Sequence, residues 1–369
     1  MIDRAFKAAV LFTYGEPLRI EYIHITRLKE TDVLVRIKAA GLCHTDLEVI
    51  DGQLRAPVPI VLGHEAAGVV EAVGAAAQGV NLGDHVILSW NPHCGHCFYC
   101  DRDLPILCES YLREGTRSKH FDGEARLALQ SHELHQLMFL GSFAEYCVVP
   151  AHCAVPVSKE IPFDAACLIG CGVMTGVGAA LNVAHMAYGD TVMVIGCGAV
   201  GLSAVQGAVL AGAGKIIAVD LISQKLELAV RLGATHAVNA GNEEAVKVAK
   251  DLSAGRGADV VIESAGNEAG FRLSTEAVRP GGEIIWLGKT DVNADIRFRW
   301  GSLMQEKRIR RSSYGGARPA RDFPLLSEAY LSGKLQLEPM ITQRISLDQI
   351  NDGFAALKAG TVIRSVILF

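Results

Sequence analysis

The chain has 369 residues, 50% of them hydrophobic and 20% charged, with a net charge of −5. That suits two domains with a sizeable core, rules out wholesale disorder, and argues against nucleic acid as a main partner because no basic stripe or tail is present. The start Met1–Ala8 lacks the apolar core of a signal peptide and no apolar run reaches membrane-spanning length, so a cytoplasmic protein with no membrane partner is expected.

Residues 1–90 read as short β-rich segments punctuated by Gly and Pro, with strands expected at Ala8–Leu11, Val33–Ala39 and Ala67–Val73. Residues 91–141 are Cys-dense, then polar and His-rich, which predicts an excursion rather than core. From about Thr191 the rhythm changes. Strands are expected at Thr191–Ile195, Lys215–Asp220, Asp259–Glu263 and Glu283–Leu287, with helices at Gly201–Ala213 and Leu226–Leu232. Strands alternating with helices imply a doubly wound parallel sheet. After about Tyr314 come a helical segment and a last strand, Ile363–Phe369. The expectation is a discontinuous domain wrapped around an inserted α/β nucleotide domain.

Gly196-Cys-Gly198-Ala199-Val200-Gly201 is G-x-G-x-x-G between an expected strand and helix, and Asp220 ends the next strand 19 residues after the third glycine. Gly196 permits the tight turn, Gly198 lets a pyrophosphate approach the backbone, and Gly201 lets the helix pack closely on the sheet. The helix start offers free N–H groups and partial positive charge to phosphates. A carboxylate at Asp220 accepts hydrogen bonds from ribose hydroxyls and repels a 2′-phosphate, which favours NAD over NADP. Lys225 is either a second ribose contact or a solvated helix-start lysine.

Ten cysteines are more than a reducing compartment uses as disulfides, so metal ligation or catalysis is the first question. Cys94, Cys97, Cys100 and Cys108 form C-x₂-C-x₂-C-x₇-C, which suits a closed four-thiolate structural zinc site. An iron–sulfur cluster and four idle thiols are the alternatives, although the spacing lacks the ferredoxin-type pattern. His93 and His96 flank these ligands and are expected to be bystanders. A dispersed set, Gly41-Leu-Cys43-His44-Thr45-Asp46, Gly63-His64-Glu65 and Gly170-Cys171-Gly172, places a donor beside glycine three times. Each alone can be a core residue. Together, two thiolates and an imidazole make a three-ligand zinc site with an open fourth position.

With G-L-C-H-T-D at 41–46, G-H-E at 63–65, the four-cysteine lobe, G-C-G-x-x-T-G at 170–176 and the glycine motif in that order, the chain resembles the zinc-dependent medium-chain alcohol dehydrogenases along essentially its whole length. The resemblance implies a GroES-like β-barrel catalytic domain (1–172 and 315–369, zinc lobe about 91–110) and a Rossmann domain (173–314). It implies two zinc ions per subunit and NAD as cofactor. Catalytic zinc falls to Cys43, His64 and Cys171, with Glu65 as an occasional or neighbouring partner. Thr45 then contacts the substrate oxygen, Asp46 orients His64, Thr175 sits near the nicotinamide, and Arg364 pairs with the pyrophosphate. His44 stands where several relatives carry an arginine on the pyrophosphate, and Glu48 stands where the animal enzymes carry a proton-passing histidine.

The family pattern puts Leu54, Trp90, Leu107, Phe139 and Leu140 at substrate-pocket positions. Apolar walls of this kind favour a hydrophobic primary alcohol, aromatic or medium-chain, over a polyol, and Trp90 disfavours bulky secondary alcohols. Arg113 and Lys289 near the outer mouth leave open an ω-hydroxy-acid substrate. A glutathione-type thiol-adduct formaldehyde dehydrogenase shares every motif, and a zinc- and nucleotide-binding sensor is the non-enzyme alternative. Retention of the excursion 111–138, absent from many tetrameric microbial relatives, leans toward a homodimer.

Overall fold

Apolar residues on alternate positions, and on both faces where a strand is covered twice, set the strands of the first part of the chain. The computed structural model describes residues 5–115 and 117–369; residues 1–4, half of the N-terminal segment considered above, and residue 116 lie outside the described residues. The described chain divides into two units, one of Met1–Cys171 with Arg318–Phe369 and one of Gly172–Ala317.

The centre of the first unit is the strand Asp32–Gly41, covered on nearly every position because its Val, Leu and Ile residues pack on both sides. It pairs antiparallel with Glu65–Val73, Tyr146–Pro150 and Arg364–Leu368. The register carries the functional consequence. Gly41 lies opposite Glu65 on one side and Val366 on the other. Cys43, His64, Glu65 and Arg364 all fall within two residues of that row, so four chemically active residues meet at one end of the sheet.

Phe6–Leu11, Arg19–Ile25, Leu127–Leu129, His132–Gln136 and Ile60–Val61 close a small barrel. This corrects the expectation that residues 91–141 stand outside the core. Leu127, Leu134 and Phe139 are fully buried, and Arg126 is among the largest wholly enclosed side chains. The polar composition misleads because its charges are paired inside. Arg126 Nε donates to Asp32 at 2.5 Å and its Nη2 to Asp122 at 2.7 Å, with His120 enclosed beside Asp32.

In the second unit a parallel sheet of six described strands runs His236–Asn239, Lys215–Asp220, Thr191–Ile195, Ala258–Glu263, Val278–Trp286 and Arg308–Arg311, which is 3-2-1-4-5-6 in chain order. This is the doubly wound order that places ligands at the carboxyl ends of the strands beside the first. The helix after the first strand is Ala199–Leu210, ending before Gly212, whose φ of +81° leaves the helical region. The first and last strands in sheet order carry little apolar pattern, and the sequence did not announce them.

A helical run from Phe163 to Val183, 21 residues with mean hydropathy 1.7, is long and apolar enough to cross a membrane, which corrects the expectation that no run reaches that length. Its membership in the protein interior, 78% buried, makes it a core helix. The run widens into a π-turn over Ile169–Val173, and Cys171 sits within it.

Candidate functional site

Cys43 caps the short helix His44–Ile50. Asp46, in its first turn, accepts the Cys43 N–H at 3.3 Å with one carboxylate oxygen and the Gly63 N–H at 2.9 Å with the other. That second oxygen also lies 3.2 Å from His64 Nδ1. Asp46 is fully buried, so this carboxylate fixes both backbone segments and the ring together. With Nδ1 on Asp46, His64 turns Nε2 toward Cys43 and Cys171, and that atom is buried with no hydrogen-bond partner.

Donor atoms of Cys43, His64, Glu65 and Cys171 lie within 4.8 Å of one another. Glu65 Oε1 accepts from Arg364 Nη2 at 3.0 Å, while Oε2 is buried without a partner. Burial pushes the Glu65 carboxyl up to about 8, against the pull of Arg364. The neighbouring Cys171 thiol holds Cys43 well below its ordinary value, helped by the charges of His64 and Arg364, while Cys43 and burial push Cys171 above its own. Two thiols, an imidazole nitrogen and a carboxylate oxygen aimed at one point, two of them orphaned, fit a zinc ion. Gly41 is required here, since a Cβ would stand 2.6 Å from Glu65 Oε2.

Cys94, Cys97, Cys100 and Cys108 likewise converge within 4.8 Å. Two sulfur pairs, Cys97–Cys100 and Cys94–Cys100, lie 3.5 and 4.0 Å apart. Tetrahedral zinc with bonds of about 2.3 Å sets sulfurs about 3.8 Å apart, so the spacing fits a four-thiolate ion. All ten cysteines are free thiols. His96 Nδ1 lies on the Cys94 carbonyl at 2.7 Å and stands outside the donor set.

The glycine motif divides its labour as its spacing predicts. Gly196 has φ +87°, a Cβ on Gly201 would stand 1.7 Å from the Gly196 carbonyl, and a Cβ on Gly198 would meet nothing within 4 Å. The open side at Gly198 and the helix beginning at Ala199 and Val200 form a cradle that a pyrophosphate can enter. Asp220 accepts the Cys197 N–H at 2.6 Å through one oxygen, and the Leu221 and Ile222 N–H groups at 2.8 and 2.9 Å through the other. Three backbone donors fix the carboxylate in place at the end of the second strand. Lys225 is half-buried on the next helix, and Thr175 is half-buried on the helix that follows Cys171.

The remaining expected site residues lie in the first unit. Arg364, expected on a pyrophosphate, is enclosed at 3% exposure and spends its guanidinium on Glu65 and on the Leu42 carbonyl at 2.8 Å. Its guanidinium thus pairs with a buried carboxylate of the four-donor group. Phe139 and Leu140, expected in the substrate wall, are fully buried core residues, and Leu54 and Leu107 are exposed. Trp90 is half-buried and packs near Tyr111, whose ring stacks on Phe139 at 5.8 Å. Arg113 donates to the buried Glu114 at 2.7 Å. His44 is exposed, while Thr45 and Glu48 are half-exposed and share a face of the short helix at spacing i,i+3. Two residues escaped sequence reasoning: Tyr111, which raised no signal beyond one aromatic in a polar stretch, and Glu263, an acid closing an apolar strand.

Residues 29–159 match the family model of the alcohol dehydrogenase GroES-like domain, and residues 199–331 match that of the zinc-binding dehydrogenases. The chain is 37% identical over 369 residues to the NDMA-dependent alcohol dehydrogenase of Amycolatopsis methanolica, covering 98% of each chain. It is 36% identical over 372 residues to the S-(hydroxymethyl)glutathione dehydrogenase of Paracoccus denitrificans, covering 98% of this chain and 99% of that one. Among solved structures, the benzyl alcohol dehydrogenase from Acinetobacter calcoaceticus superposes with a TM-score of 0.94 at 30% identity, over 99% of both chains.

Proposed function

The chain belongs to the zinc-dependent medium-chain alcohol dehydrogenases, and on that premise we propose that it interconverts hydrophobic primary alcohols and their aldehydes with NAD. The reaction class, zinc-dependent alcohol oxidoreduction, is that of the family. The observation carrying the reading is the convergence of Cys43, His64, Glu65 and Cys171 with His64 Nε2 and Glu65 Oε2 unpartnered.

When bound, zinc supplies a Lewis acid for the alcohol oxygen, and the nicotinamide supplies the hydride acceptor. Cys43, His64 and Cys171 hold the ion, and Asp46 keeps the proton of His64 on Nδ1 so that Nε2 offers its lone pair. Thr45, in the first turn after Cys43, takes the hydroxyl proton, and Glu48 one turn on passes it to solvent. In the aldehyde direction Thr45 returns that proton. The glycine turn and Asp220 hold the dinucleotide, and Asp220 sets the preference for NAD. The second zinc ion, on Cys94, Cys97, Cys100 and Cys108, is structural, giving two per chain. The assembly proposed is a cytoplasmic homodimer.

For substrate, the half-buried Trp90, tilted against Tyr111 whose own ring stacks on Phe139, supports an aromatic alcohol. The benzyl alcohol dehydrogenase likeness points the same way. Arg113 is engaged by Glu114, which counts against an ω-hydroxy-acid tail at that residue. The experiment is a panel of benzylic, allylic, aliphatic and ω-hydroxy-acid alcohols with NAD and NADP, beside metal analysis. Two zinc per chain and a benzylic preference with NAD are expected, and preference for a polyol or equal use of NADP would sink the reading. A second reading, S-(hydroxymethyl)glutathione oxidation, is favoured by the Paracoccus relative and predicts formaldehyde turnover only with added thiol.

A further inference from the structure

Glu263 ends the strand Ala258–Glu263 and is fully buried. One carboxylate oxygen accepts the N–H groups of Ala265 and Gly266, each at 2.8 Å. The other is enclosed with no hydrogen-bond partner. Room for the carboxyl is made by two glycines, since a Cβ on Gly270 would stand 2.6 Å from the first oxygen and one on Gly288 2.5 Å from the second. The Glu263 carbonyl also accepts the Leu287 and Gly288 N–H groups at 2.8 and 3.0 Å. This residue therefore holds two successive turns at the carboxyl edge of the sheet.

The turn that it shapes is the one against which the glycine motif rests. Ser264 Oγ donates to the Gly196 carbonyl at 2.9 Å, and Gly196 approaches Ala265 so closely that a Cβ would stand 2.8 Å from the Ala265 nitrogen. Gly201 is as close, with a Cβ 2.7 Å from Ser264 Oγ. Moving 264–266 therefore moves Gly196. Burial pushes the Glu263 carboxyl up to about 7, against the backbone donors and the charge of Arg311. Around it, Arg311 comes from the edge strand, Lys289 follows Gly288, Glu268 and Arg272 pair with each other on the neighbouring helix, and Asp220 with Cys197 lies across the glycine turn.

We infer that Glu263 is a positioning residue of the dinucleotide cradle, holding Ser264–Gly266 against Gly196 and taking up a solvent proton when the anionic pyrophosphate arrives. This rests on the reading of the glycine turn as a dinucleotide site. A buried carboxylate near an arriving dianion is repelled, and protonation removes that repulsion. Cofactor binding then strengthens as pH falls through neutrality.

The test is NADH binding to the zinc-loaded protein, by fluorescence from pH 6 to 8.5 and by calorimetry in buffers of differing ionisation enthalpy. The unmutated protein is expected to bind about 3–10-fold tighter at pH 6 than at pH 8.5 and to take up a fraction of a proton near pH 7. Glu263→Gln keeps an acceptor for Ala265 and Gly266 and is expected to lose that uptake and flatten the profile. Because His44 is expected near the pyrophosphate, the pair is compared again with His44→Gln in both. Glu263→Ala, its folding checked by melting, is expected to weaken NADH about 10-fold at every pH. Unchanged proton uptake in Glu263→Gln, or unweakened binding in folded Glu263→Ala, overturns the inference. No NADH binding by the unmutated protein overturns the dinucleotide reading itself.

Discussion

Cys43, His64, Glu65 and Cys171 are drawn from three stretches spread over 129 residues, whereas Cys94, Cys97, Cys100 and Cys108 come from 15 consecutive ones. The dispersed group is fixed from outside itself, by strand register, by Asp46 and by the Arg364 ion pair. The lobe is fixed by its own turns. Its ring of neighbours is thin: Phe98, Leu104 and Leu107 are exposed, and its ties to the rest of the unit include an ion pair between the exposed side chains of Asp103 and Arg318. A metal in the first group adds chemistry to a scaffold that already stands. In the second it supplies cohesion that the apolar contacts do not.

The largest effect follows directly. Cys43→Ala should lower turnover by more than about 10³-fold while leaving the melting midpoint nearly unchanged, because the sheet register persists without the thiol. Cys100→Ala should do the reverse, lowering the midpoint by roughly 5 °C and opening the lobe to protease while the catalytic zinc stays bound. Activity, thermal melting and zinc content on both variants check the pair, and matching losses in the two would dissolve the distinction.

Next comes the ion pair beneath the dispersed group. Arg364→Met leaves Glu65 enclosed without its counter-ion, and breaking a buried pair from one side typically costs about 3–5 kcal/mol. Urea unfolding should show that loss, and adding Glu65→Gln should recover part of it. A merely surface role for Arg364 would leave the midpoint in place. Asp46→Asn should cost less, with zinc affinity falling about 10–100-fold because the ring of His64 loses its orienting carboxylate. Competition with a chromophoric chelator measures it, and the four-cysteine ion in the same sample serves as the internal standard.

The same contrast governs what the sequence made legible. The lobe could be read from spacing alone, because contiguous ligands carry their geometry with them. The sheet of the second unit was legible from β-runs alternating with small-residue helices and from an acid after the glycine motif. The dispersed ligands showed only as three donors beside glycine, and the resemblance to a family joined them. What makes them neighbours is the register that sets Gly41 opposite both Glu65 and Val366, a tertiary fact without a local signature. The ion pair of Arg364 was hidden for the same reason: a lone arginine near the end of the chain gives no hint that a buried glutamate awaits it. Residues 118–136 misled through composition, since the enclosed His120 and Arg126, held by Asp32, look in sequence like charges bound for solvent. The substrate wall was the least legible, because Phe139 and Leu140 are indistinguishable by type from core.

Those paired charges supply the smallest test, and it bears on how the chain following the lobe is anchored. Arg126 ties Leu127–Leu129 to Asp32 at the head of the central strand, and both side chains are enclosed with His120. Burial opposes the charge on Asp32, but His120 and Arg126 outweigh it and hold its carboxyl below the ordinary range. Its contribution to stability is therefore full above the unfolded value of about 3.9 and is lost as pH falls through the lower folded value. His120 is depressed too, chiefly by burial, so the folded protein keeps it neutral where the unfolded chain begins to protonate. Its contribution starts to fall below about pH 6.5. Urea midpoints should thus decline gently from pH 7 to 5 through His120 and more steeply below pH 4 through Asp32. His120→Gln should flatten the upper part of the curve and also shrink the step below pH 4, since His120 helps to depress Asp32. Arg126→Met should lower the whole curve and shrink the step below pH 4, since Asp32 loses the partner that depresses it. Indifference of the pH 7 to 5 slope to His120→Gln would show that the decline belongs to the thiolate clusters, and that the anchor after the lobe does not set the acid response.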